Sequence, residues 1–132
     1  MANRIVLPEG WPRPKGFSQG IVARGQTVFI AGQVGWNERE EFESDDFTEQ
    51  AGLAFQNIVA ILGAAGSKPE HVTRLTWYVV DKQEYLRSLA GVGAAYREAF
   101  GRHYPVMAVV EVTALMEDRA RIEIEATAVI PD

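Results

Sequence analysis

The chain has 132 residues, 13 basic and 18 acidic, giving a net charge of −5. That length suits one domain with a sizeable core, and 47% hydrophobic with 23% charged residues is a globular composition. The absence of cysteine excludes disulfides, thiol nucleophiles and thiolate metal sites, and the lack of any Lys/Arg run argues against a nucleic-acid partner.

Taken in order, residues 1–16 hold Pro8, Pro12 and Pro14 with Gly10 and Gly16, a composition that predicts an extended, irregular N-terminal arm. Trp11 is expected to pin that arm to the body. Residues 18–23 and 27–33 read as two strands of a hairpin turning through Arg24-Gly25-Gln26. At the end of the second strand, Gly32-Gln33-Val34-Gly35 marks either a close backbone approach to a ligand or a bulge. Residues 37–46 are acidic and polar, as in an exposed loop.

Asp46 and Glu49 have the spacing of a helix N-cap and its N3 partner. Apolar residues from Phe47 to Ala65 then recur at helical spacing, and Gly66 stands where a C′ glycine ends such a helix. Residues 72–80 are β-branched and aromatic, hence a strand. A second helix is predicted over 83–100, burying Tyr85, Leu89, Val92, Tyr96 and Phe100 and stopping at Gly101; its internal Gly91 and Gly93 suggest close neighbours. Strands over 106–113 and 121–129 complete the order β-β-α-β-α-β-β. The fold class expected is α+β, a mostly antiparallel sheet with two helices on one face. The other face would carry Met107, Val109, Glu111, Glu123, Glu125, Thr127 and Val129, a mixture of apolar and acidic side chains suited to a second copy of the chain.

In 121–129 polar and apolar residues alternate, so Ile122, Ile124, Ala126 and Ala128 share the buried face. Glu123 and Glu125 point the other way, about 7 Å apart by the strand rise. Alternation alone suits a solvated sheet face as well as a general acid/base in a cleft. The two histidines, His71 and His103, lack a metal-ligating spacing, so no metal is expected. No leader-like apolar segment opens the chain and no apolar run approaches a span of about 20 residues, so a cytoplasmic protein without a membrane partner is expected.

Several stretches together resemble the RidA/YjgF family: Gly16-Phe17-Ser18-Gln19-Gly20, Phe29-Ile30-Ala31-Gly32-Gln33-Val34, Gln56-Asn57-Ile58, Ala64-Ala65-Gly66 and Arg121-Ile122-Glu123-Ile124-Glu125-Ala126. The resemblance spans nearly the whole chain. It implies a chorismate-mutase-like fold over residues 1–132 and a homotrimer with small-molecule sites in clefts between subunits. It also implies cofactor-free hydrolysis of enamines and imines of 2-amino acids. Glu123 matches the glutamate taken to activate water in that family. Three departures stand beside it. Where the catalytic branch holds the substrate carboxylate with an arginine, this chain reads Pro105-Val106-Met107-Ala108, and a thioether cannot replace a guanidinium. The family tyrosine is Phe17 and a helix asparagine is Gly93.

The expected site therefore comprises Glu123 as the catalytic residue, with Phe17, Gly32 and Met107 binding substrate. Arg102 and Arg119 are candidate replacement cations, and His103 is a candidate neighbour of the cleft. The principal reading is an imine or enamine hydrolase (deaminase) of altered specificity. A non-catalytic metabolite-binding trimer is the alternative, and endoribonuclease activity a third reading that the acidic balance disfavours.

Overall fold

The computed structural model describes residues 2–132. Strand β1 (Arg4–Val6) pairs antiparallel with β2 (Gly20–Val22) as a small two-stranded sheet. After it come β3 (Gly25–Val34), α1 (Phe47–Ala64), β4 (Val72–Val79), α2 (Lys82–Arg87), α3 (Leu89–Phe100), β5 (Val106–Glu111) and β6 (Ile122–Pro131). The main sheet runs β3-β6-β4-β5, antiparallel at β3–β6 and β6–β4 and parallel at β4–β5. With the helices on one face, this is the expected α+β architecture.

Helix α1 is defined at both ends by side-chain and backbone chemistry. Asp46 accepts from the Glu49 amide at 3.0 Å. The return arm of the cap runs through Ser44, whose hydroxyl donates to Glu49 Oε2 and accepts from Asp46 N. At the far end Gly66 takes φ 74°, while the amides of Ser67 and Gly66 donate to Leu62 O and Gly63 O at 2.8 and 3.1 Å, a Schellman closure. Between these caps Phe47, Ala51, Ala54, Phe55, Ile58 and Leu62 are buried. They meet Leu75, Trp77, Ile122, Ile124 and Ala126 from the sheet. Each large side chain so buried contributes about 1.5–3 kcal/mol. Fully buried Gln50 stitches the layers together: its amide group donates to Ser44 O and Arg119 O, both at 3.0 Å, and its carbonyl accepts from Arg121 N at 2.8 Å.

Four sequence expectations are corrected. The N-terminal arm is not wholly irregular, since β1 lies within it, and Asn3 Nδ2 ties it to Val129 O at 3.1 Å; Trp11, at 55% exposure, does not pin it. β2 and β3 form no hairpin, because β2 takes β1 as partner while β3 joins β6. The second helix is two helices broken at Ser88, whose hydroxyl turns back to Glu84 O at 2.8 Å, a local bond that competes with helix continuation. Leu89 is consequently 49% exposed rather than core. Finally, Met107, Val109 and Glu111 pair in register with Leu75, Trp77 and Val79, all of them buried on the helix side. Registered partners share a sheet face, so these three lie opposite Glu123 and Glu125. Glu123, Glu125 and Thr127 keep the open face as expected, joined there by Val110, Tyr78 and Phe29, the last 81% exposed.

Candidate functional site

The expected site residues fall into two groups on opposite sides of the sheet. In the first, Phe17 is delivered to β5 by its neighbour Ser18. Ser18 N donates to Pro105 O at 3.0 Å, its hydroxyl donates to Tyr104 O, and residue 18 bridges Val106. Phe17 and Met107 therefore line one cavity of about 530 Å³, with Trp77, Tyr85, Tyr96 and Tyr104 among its walls. That volume lies within the usual range for small-molecule sites. Tyr96 stacks on Tyr104 with ring centroids 5.6 Å apart and donates to His103 O at 2.6 Å. Burial pushes its phenol well above the ordinary value, and Tyr85 is raised for the same reason.

The second group is Gly32 and Glu123. β3 bulges between Ile30 and Gln33, where Ala31 and Gly32 oppose Glu125 alone. A Cβ at Gly32 would stand 2.4 Å from Glu123 Oε2, so the glycine is what lets that carboxylate lie against the β3 backbone. The bulge reading of this glycine holds, and the group that lies close to its backbone is a carboxylate of the same chain. Glu123 accepts no hydrogen bond and forms no ion pair among the described residues. Beside it, Tyr78 donates to Glu125 Oε1 at 2.8 Å, and that bond holds the Tyr78 phenol above its ordinary value. Glu123 is thus the carboxylate with its lone pairs available, and Glu125 the one already engaged.

The remaining candidates lie elsewhere. Arg119 is committed to Asp45 at 2.9 Å and to Phe42 O at 2.9 Å. Arg102 does not line the cavity, and His103 Nε2 donates to Val72 O at 2.7 Å while lining a separate hollow with His71. The cation that does line the cavity is Arg97, with Lys15 beside it. Arg97 was legible in principle, because it follows Gly93 by four residues and so shares its helix face. Among the described residues no three His, Asp or Glu side chains gather as a metal site, and no helix is long and apolar enough to cross a membrane.

The chain thus combines helices on one sheet face, an aromatic cavity at the β4–β5 crossover and two carboxylates on the bare face. The chain belongs to the RidA/YjgF family: the family model described as Endoribonuclease L-PSP matches residues 12–130. It is similar to a RutC family protein of Pyrococcus abyssi, 36% identical over 97% of this chain and 98% of that one. It is also similar to a 2-iminobutanoate/2-iminopropanoate deaminase of Salmonella typhimurium, 33% identical over 96% and 98%. Among solved structures, the Rid-family protein YyfB of Yersinia pestis superposes with a TM-score of 0.86 at 32% identity, covering 98% of this chain and all of that one. The chorismate-mutase-like fold expected from sequence is thereby shown.

Proposed function

We propose that the protein hydrolyses small reactive imines or enamines, in clefts that two neighbouring copies complete within a homotrimer. The observation that carries this reading is the separation just described. Phe17 and Met107 border a cavity on the helix side of β5, whereas Gly32 and Glu123 lie on the bare face. Within one protomer the sheet stands between them, so they share a site only when the cavity of one copy meets the bare face of another. The apolar side chains on that face, Phe29 above all, suit such a covering. The deaminase relatives supply the reaction class.

In this scheme Glu123 accepts a proton from water as the water oxygen bonds to the imine carbon and the C=N electron pair moves to nitrogen. Glu123 then returns that proton to the nitrogen, giving a neutral carbinolamine, whose collapse forms the C=O bond, breaks C–N and passes the hydroxyl proton to the nitrogen that departs as ammonia. Met107 in place of an arginine alters which substrates the cavity holds. A second reading, metabolite binding without turnover, draws on the same substitution. The endoribonuclease activity named in the family description is disfavoured by a net charge of −5 and by two carboxylates on the bare face.

The test is ammonia release from a panel of imines and enamines by wild type and Glu123→Gln, with sedimentation of both proteins in parallel. The amide keeps the shape but cannot shuttle a proton, so turnover should be lost and the trimer retained. Equal activity in the two proteins removes Glu123 from the mechanism, and no ammonia from any compound favours the binder. A stable monomer at micromolar concentration removes the shared cleft.

A further inference from the structure

The protein is acidic overall, yet the cavity that holds Phe17 and Met107 is lined by two cations, Lys15 and Arg97, and by no Asp or Glu. Local inversion of charge against a net −5 concentrates anions at that mouth. Arg97 also differs from the arginines of the ion pairs. Arg24, Arg39, Arg119 and Arg121 each hold a carboxylate, whereas the Arg97 guanidinium has neither an ion pair nor a hydrogen bond among the described residues. Its position is shaped by Gly93, one helical turn earlier. A Cβ there would come within 3.3 Å of Arg97 Nη1, so a larger residue at 93 would crowd the guanidinium. The three places where the chain departs from the catalytic branch it resembles, Phe17, Gly93 and Met107, thus border the same cavity as Arg97.

We propose that Arg97 is the anion-binding residue of this cavity. It holds the carboxylate of a ligand whose apolar or aromatic body lies against Phe17, Tyr85, Leu89 and Met107. This deepens the reading above, because it moves the anion clamp from β5 to α3 and so selects 2-imino acids with bulkier side chains. A planar guanidinium meets a carboxylate through two parallel hydrogen bonds. Removing it leaves the anion with Lys15 alone, a single mobile point charge.

The experiment is calorimetric binding of phenylpyruvate and of its neutral counterpart phenylacetone to wild type, Arg97→Gln and Arg97→Lys at low ionic strength. Wild type should prefer the anion. Arg97→Gln should weaken phenylpyruvate about tenfold to hundredfold, the usual effect of one charge-assisted contact, and leave phenylacetone unchanged. Arg97→Lys should recover part of the loss. Arg97 is exposed, so matching thermal melts are expected and serve as the folding control. The proposal is overturned if wild type binds neither probe, if Arg97→Gln binds phenylpyruvate as wild type does, or if both probes weaken equally. Binding is read without turnover. A protein whose Arg97 holds phenylpyruvate but which releases no ammonia from imines keeps this proposal and loses the hydrolase reading. One that releases ammonia, and whose Arg97→Gln variant binds phenylpyruvate as tightly as wild type, does the reverse.

Discussion

The two faces of the main sheet differ in how complete they are. On the helix side, Phe55 is fully buried with Trp77, Tyr96 and Phe100 set edge-on around it at 5.4, 5.6 and 5.7 Å. Gln50, equally buried, has its hydrogen-bonding groups satisfied. On the other side Phe29 faces outward and Glu123 has no partner among the described residues. One face gives a single chain its fold; the other leaves Phe29 and the Glu123 carboxylate at the surface. The candidate carboxylate therefore lies on the face the chain leaves exposed, not in its best-packed region.

Three substitutions break or sharpen this contrast. Phe55→Ala should cost the most, about 3–5 kcal/mol in a chemical unfolding experiment, because it opens a cavity at the centre of three rings. A loss under about 1 kcal/mol would mean that the helix side is not the part that stabilises the chain. Gly32→Ala tests the bare face. The new Cβ meets the end of a flexible side chain, so folding should change little while the Glu123 carboxylate is displaced. Turnover of imines should then fall about a hundredfold, the scale of an ångström-sized misplacement, and unchanged kcat would show that the glycine does not set the carboxylate.

The smallest effect is expected for Tyr96→Phe. It removes the bond to His103 O, about 1 kcal/mol at neutral pH, and it changes the alkaline limb. Burial raises the folded phenol above its ordinary 10.0, so its contribution is present below pH 10 and declines as pH rises further, where the unfolded chain alone releases the proton. The phenylalanine variant should lose less stability between pH 10 and 11 than wild type does; parallel curves would assign the alkaline fall to other groups.

Much of this was legible in local chemistry. Asp46, Glu49 and Gly66 bound α1 because caps act within a few residues, and the alternation of 122–128 assigned the buried face of β6 without any partner. The faces of β5 were not legible. Val106-Met107-Ala108-Val109-Val110 is apolar throughout, so period-2 reading assigns no side, and only the register with β4 places Met107. The split at Ser88 went unseen because apolar spacing continues across it while one hydroxyl bends the backbone. The false hairpin at Gly25 had the same origin, since the true partners of β2 and β3 lie at opposite ends of the chain. Glu123 came into view only when the resemblance was added to alternation, and Arg97 only when the cavity was.

The strand order carries a consequence for how such a chain can diversify. Glu123 rides on β6, an interior strand fixed from both sides and set between two fully buried isoleucines. Its place cannot drift without disturbing the packed layer. Met107 and Arg97 stand on an edge strand and on the outer turn of a helix, where single replacements disturb few neighbours. Descendants of one ancestor could thus keep the carboxylate on β6 while exchanging the residues that line the cavity, each exchange leaving a foldable protein behind it.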